Sequence, residues 1–144
     1  MAEVVVRSEI GASAARVWDV VSDFGGLLQW AAGVESCQLE GEGVGAVRTL
    51  GIPGGLELQE RLESLDAAAR QYSYAIVNET PLPFSDYLST FTVEEAGDGA
   101  CTVTWRGRFE PTGDEAAAAG IIRGIYTGGL ASLGKHLGVD VREL

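Results

Sequence analysis

The residue that most invites chemistry is Glu60. The run Leu56, Glu57, Leu58, Gln59, Glu60, Arg61, Leu62, Glu63 alternates, and in an extended strand alternate side chains share a face. Leu56, Leu58, Glu60 and Leu62 lie on one face, with Glu57, Gln59, Arg61 and Glu63 on the other. The leucines turn the first face inward, so Glu60 goes inward with them. A carboxylate there loses solvation, and its pKa rises unless a cation pairs with it. Such a group can serve as a general acid or base. The alternative is a pocket-lining acid that binds water, a ligand hydroxyl or an internal arginine. Arg48 is the arginine to consider, because Ala46, Arg48, Leu50 and Ile52 share a face of the preceding strand. If the two strands pair as a hairpin, Arg48 comes within reach of Glu60. A buried pair keeps Glu60 ionised and makes it a weaker base. Otherwise Arg48 reaches solvent from near the strand end.

Phenols and indoles supply the rest. Tyr87 shares a face with Ser89, Phe91 and Val93, and Tyr74 shares one with Tyr72 and Ile76. A phenol aimed into a cavity binds a carbonyl oxygen or donates a proton; it serves equally as a large core residue with a polar tip. Tyr72 reads as core, and for Tyr87 both readings stand. Trp105 and Phe109 alternate with Val103 and Cys101 and form an inward aromatic wall, which suits a flat or ring-shaped ligand. Trp30 borders the mouth, and Trp18 reads as core. His136, the one histidine, falls in the last turn of a helix, where it suits the helix dipole better than catalysis. Cys37 and Cys101 read as free, buried thiols. With one His, no CxxC and no HxxxH, no metal site is expected, and no cofactor is called for.

These side chains need elements to hold them. Residues 3–10 read as a strand. Ser13 can cap a helix carrying Val17, Val20, Val21 and Phe24, broken at Gly25 and Gly26, and residues 27–30 read as a second short helix. Strands follow over 34–39, 46–52, 56–65, 70–77, 84–93 and 100–109. The turns between them hold Gly41, Gly43 and Gly45, then Pro53, Gly54 and Gly55, then Asp66, then Asn78, Pro81 and Pro83, then Gly97, Asp98 and Gly99. Short connections favour an antiparallel meander. From Asp114 the period becomes helical: Ile122, Tyr126, Leu130, Leu133 and Leu137 form one stripe, widened by Ile121 and Ile125. Thr112 or Asp114 caps its start, Glu115 suits its N-terminus, Lys135 and His136 suit its last turn, and Gly138 stops it. Gly128 and Gly129 in its middle weaken it; they leave room for a ligand or for close packing on the sheet. A strongly bent sheet around one helix leaves a cavity.

Composition narrows the classes of function. The chain has 144 residues, 46% of them hydrophobic, and a net charge of −11. That is enough for a substantial core. The negative charge argues against nucleic acid and anionic membrane surfaces, and the apolar runs fall short of a membrane span. The start MAEVVVRSEI lacks the apolar core of a signal peptide, so the cytoplasm is the expected location. A monomer or homodimer is expected.

The ordered segments VWDVVSDFGGLLQW (17–30), GVESCQLEGEGVGAVRTL (33–50), ERLESLD (60–66), PLPFSDYLSTFTV (81–93) and VTWRGRFEP (103–111) carry a likeness over essentially the whole chain. With them the sequence resembles the START / birch-pollen-allergen superfamily, in particular its bacterial polyketide cyclase/dehydrase branch. The resemblance implies an α+β helix-grip fold over residues 1–144 as one ligand-binding domain. In that fold a curved seven-stranded antiparallel sheet wraps a long C-terminal helix, with two short helices after the first strand and an internal cavity. The middle of the chain is also similar to plant abscisic-acid receptors, in a Glu-Arg-Leu strand and a Tyr-x-Ser strand. By that likeness Glu60, Tyr74, Ile76, Tyr87 and Ser89 face the cavity, and residues 52–55 sit where those receptors keep a gate. The receptors' ligand-binding lysine falls at Ala31 here, which speaks against the same ligand.

Two functions fit. The first is a cofactor-independent enzyme, a lyase or isomerase, in which Glu60, Tyr87 and Arg48 move protons during cyclisation, dehydration or isomerisation of a hydrophobic, ring-containing carbonyl compound. The second is a non-catalytic carrier or sensor of an apolar small molecule. Both place Trp30, Leu50, Ile52, Leu58, Tyr74, Ile76, Ser89, Phe91, Trp105 and Phe109 around the ligand, with Ile122, Tyr126 and Leu130 as its lid.

Overall fold

The computed structural model describes residues 1–144. β1 (Ala2–Ile10) leads into α1 (Ala14–Val21) and a 3-10 helix (Phe24–Gln29). Then come β2 (Ser36–Glu40), β3 (Val47–Ile52), β4 (Leu56–Asp66), β5 (Gln71–Ile76), β6 (Phe84–Gly97) and β7 (Ala100–Pro111). α2 (Glu115–Leu137) and β8 (Val141–Glu143) complete the chain. Ser13 caps α1 by accepting from the Arg16 amide at 3.1 Å. α1 stops at Val21, short of Phe24. Phe24 instead opens the 3-10 helix and still buries its ring.

The strands form one open antiparallel sheet in the order β2-β3-β4-β5-β6-β7-β1-β8. The meander expected from the short turns accounts for β2 to β7. β1 closes against β7, and the sequence pattern gives no sign of the eighth strand, which adds to β1 through Ser8↔Glu143 and Ile10↔Val141. Register shifts between Leu62 and Ser64, and between Ser85 and Leu88, bend the sheet, as bulges do. The β3–β4 turn needs glycine, since Gly54 and Gly55 both have φ near +90° (93° and 86°).

α2 lies in the concave face. Asp114, not Thr112, is its cap, accepting from the Ala116 amide, and Gly138 ends it at φ 70°. Ile122, Tyr126, Leu130, Leu133 and Leu137 bury into one core with Val6 and Ile10 of β1, Val17 of α1, and Val103 and Phe109 of β7. Ile121 and Ile125 do not widen that face; both are exposed. Five glycines interrupt the helix. Each costs about 1 kcal/mol in a helix interior, while each buried Ile or Leu contributes about 1.5–3 kcal/mol. Packing on the sheet therefore holds α2 together. Gly134 is one exception to the cost, because a Cβ there would collide with Val141 of β8. No helix is long and apolar enough to cross a membrane.

Candidate functional site

Between β3, β4 and β5 on one side and α2 on the other lies a cavity of about 480 Å³, within the usual range for small-molecule sites. Strand alternation brings Leu50, Leu58, Arg48, Glu60, Tyr74 and Ile76 into its wall, with Ile52 at the strand end and Tyr87 and Trp105 behind. Pro53, Gly54 and Gly55, expected as a gate, form a tight exposed turn whose flanking Ile52 and Leu56 reach the cavity.

Arg48 and Glu60 are direct partners in the β3–β4 register. Arg48 Nε donates to Glu60 Oε1 at 2.8 Å, and Nη2 lies 2.8 Å from the same oxygen. Nη1 donates to the Phe24 carbonyl at 3.1 Å. The guanidinium carbon stacks 4.0 Å from the centre of the Phe24 ring and 4.9 Å from that of Tyr74. Arg48 and Glu60 are only 2% and 6% exposed, so the pair is an interior feature and not a strand-end contact with solvent. Burial alone would lower the Arg48 pKa, but the Glu60 carboxylate, with Tyr72 and Tyr74, outweighs it and the net direction is upward. Of the two arrangements the sequence left open, the hairpin pair is the one found, and the inward acid is one half of an ion pair.

A chain of hydroxyls lies beside the pair. Trp105 Nε1 donates to Ser89 Oγ at 2.9 Å and, more weakly, to Tyr74 Oη at 3.3 Å. Ser89 Oγ is 3.0 Å from Tyr126 Oη, which is 2.5 Å from Tyr87 Oη. An indole can only donate, so Ser89 accepts from Trp105. Either atom can donate in the Ser89–Tyr126 and Tyr126–Tyr87 contacts; run from Ser89 to Tyr126 to Tyr87, the chain leaves the hydroxyl proton free on Tyr87, which lines the cavity. Burial pushes Tyr72, Tyr74 and Tyr87 upward and Tyr126 to about 12. The phenols are therefore neutral donors at neutral pH. Gly107 makes the chain feasible: a Cβ there would overlap the Tyr126 hydroxyl.

Seven expected lining residues lie elsewhere: Trp30, Ser89, Phe91, Phe109, Ile122, Tyr126 and Leu130 are core and do not line the cavity. Phe91 stacks on Tyr72 at 5.5 Å and meets Trp105 edge-on at 5.0 Å. Trp30 packs behind both, 6.4 Å and 6.3 Å from their ring centres. Phe109 sits edge-on to Phe84. Ser89 uses its hydroxyl on Trp105 and Tyr126. Ile122, Tyr126 and Leu130, expected as the lid, are absent from the wall because the apolar stripe of α2 faces the sheet and its glycine flank faces the cavity. Gly124, Ile125, Gly128 and Gly129 line it. At Gly128 a Cβ would meet nothing within 4 Å, whereas at Gly129 it would come 3.0 Å from Trp105. One glycine of the pair leaves room and the other permits close packing.

The wall also contains Leu56, from the inward face of β4, and Leu27, Ala31, Ala32, Gly33, Val34, Leu82 and Phe84, which no sequence pattern marks. Most lie in connections with no periodicity to read. A second hollow of about 380 Å³ adjoins the first, sharing Ile76, Leu82, Phe84 and Tyr87 and adding Asn78, Glu79, Ser85 and Asp86. Tyr87 stands at the junction. Cys37 and Cys101 are both free thiols. Cys37 is half-buried, and burial raises the Cys101 pKa to about 11. His136 is exposed in the last turn of α2. No group of three His, Cys, Asp or Glu comes together in a way that could hold a metal ion.

The chain compares closely with several solved structures. An uncharacterised protein from Bacillus thuringiensis is 34% identical with a TM-score of 0.86, over 93% of this chain and 97% of that one. XoxI from Bacillus cereus is 34% identical with a TM-score of 0.87, over 94% of each chain. Norcoclaurine synthase from Thalictrum flavum, in complex with dopamine and hydroxybenzaldehyde, shares the fold at 19% identity, with a TM-score of 0.75 over 94% of this chain and 87% of that one. No curated protein matches the sequence. A family model described as polyketide cyclase / dehydrase and lipid transport matches residues 1–138, and the chain belongs to that family.

Proposed function

We propose that the protein binds a hydrophobic, ring-containing small molecule in the cavity and that Glu60, Arg48 and Tyr87 shift a proton on it without a cofactor. The outcome would be a cyclisation, dehydration or isomerisation of a carbonyl compound. The observation that carries this reading is that Glu60, one of whose oxygens takes no bond from Arg48, and Tyr87 line one otherwise apolar wall. In this scheme Glu60 accepts a proton through its oxygen not engaged by Arg48. Tyr87, held by Tyr126, donates to the carbonyl oxygen as charge develops there. The family description, which names cyclase and dehydrase activity, supports the reaction class. A carrier or sensor is the second reading, favoured by the fact that Arg48 already engages one Glu60 oxygen.

Native mass spectrometry of the purified protein is expected to reveal a retained small molecule, identified after extraction. Incubating that compound, or its acyclic or hydrated precursor, with wild type and with Glu60→Gln then separates the readings. Turnover by wild type that falls at least about a hundredfold in the variant supports proton transfer, in line with the usual contribution of a positioned acid or base. Unchanged turnover in Glu60→Gln would sink the catalytic proposal, and binding without turnover in wild type would leave the carrier.

A further inference from the structure

Resting on the cavity-binding reading above, we infer that the guest is electrically neutral and presents a ring-borne hydroxyl, such as a phenol, to Glu60. Arg48 and Glu60 are the only charged residues in the cavity wall, and they neutralise each other. A carboxylate guest would have to draw Arg48 away and strand Glu60 in an apolar wall. An ammonium guest would compete with Arg48 for Glu60. Either exchange leaves a buried charge uncompensated, which is strongly unfavourable, whereas a neutral guest disturbs nothing.

The approach repeats the discrimination against anions. The adjoining hollow carries Glu79 and Asp86 and no basic residue, and the whole chain has a net charge of −11. Both repel a carboxylate before it arrives.

Glu60 also has an acceptor to spare. Oε1 takes both Arg48 contacts, while Oε2 accepts no hydrogen bond from the protein and lies open to the cavity. A hydroxyl donating to Oε2 makes a charge-assisted bond, which is stronger than a bond between neutral groups. Its ring then lies among Leu50, Leu58, Tyr74 and Trp105, where apolar and aromatic surface stabilises it.

Three probes of one shape test this by isothermal titration calorimetry at pH 7: 2-naphthol, 2-naphthoate and 2-methylnaphthalene. The wild type is expected to bind 2-naphthol at least about tenfold more tightly than either of the others, as a lost or uncompensated polar contact commonly costs. Two variants report on the cause. Replacing the pair by apolar groups of similar size, R48M/E60L, removes the preference of 2-naphthol over 2-methylnaphthalene. Glu60→Gln leaves the wall with a net positive charge, so the discrimination against 2-naphthoate narrows. Naphthoate binding as tightly as naphthol to the wild type would overturn the inference, as would a naphthol preference that survives in R48M/E60L. If 2-methylnaphthalene binds as tightly as 2-naphthol, the hydroxyl assignment fails while the cavity reading stands. If none of the three binds, both fall together.

Discussion

Glu60 and Arg48 set the terms of the site because each is buried and each depends on the other. Arg48→Met leaves Glu60 without its partner inside the protein, and urea unfolding is expected to show a loss of about 3–5 kcal/mol. R48M/E60L should recover most of that loss, since a buried pair replaced by well-packed apolar side chains is commonly neutral or stabilising. A single variant as stable as wild type would show that the pair is not the interior feature described above. Both residues were legible in the sequence, because period-two alternation assigns a face without knowing the neighbours. The Phe24 carbonyl that completes the Arg48 shell was not legible. It is a backbone atom at the start of the 3-10 helix, and side-chain patterns carry no record of it.

The contact between β7 and α2 shows where sequence patterns stop at the level of elements. The helical stripe Ile122, Tyr126, Leu130 was visible from its spacing. Which neighbour it meets was not, because periodicity names the apolar face and says nothing about what covers it. Gly107 is illegible for a similar reason: its need for glycine lies in the Tyr126 hydroxyl and not in its own strand. Gly107→Ala is expected to destabilise by about 1–3 kcal/mol, as overpacking does, by driving Tyr126 off Tyr87 and Ser89. Combining it with Tyr126→Phe removes the colliding oxygen. Chemical denaturation of the two single variants and the double should therefore give a combined loss smaller than the sum. Strict additivity would show that Gly107 and Tyr126 do not meet.

Across the whole molecule, all four tyrosines are buried and all four have their pKa raised by burial. An unfolded chain releases these protons near pH 10, while the folded chain holds them longer, Tyr126 to about 12. Between those values the unfolded state binds fewer protons than the native state, so stability is full below about pH 10 and is lost as pH rises toward 12 and beyond. An alkaline absorbance titration should accordingly show the phenols ionising together, in one step that coincides with unfolding by circular dichroism. A tyrosine titrating near pH 10 in the folded protein would contradict this. The meander and the long helix were readable from turns and periodicity. β8 was not, because three residues are too few to display alternation, and its place is fixed by β1 and Gly134.

The five glycines of α2 bear on the order in which the molecule is made. A helix so interrupted does not nucleate by itself in water, so a synthetic peptide of residues 115–137 should give the circular dichroism of a coil. α2 therefore depends on its packing against the sheet. It also follows every strand of the meander along the chain. Since the strands precede the helix that covers them, the concave face is the surface left without its cover until α2 docks. A guest taken up before α2 docks meets no barrier from the helix, whereas in the finished protein the glycine flank of α2 is part of the cavity wall.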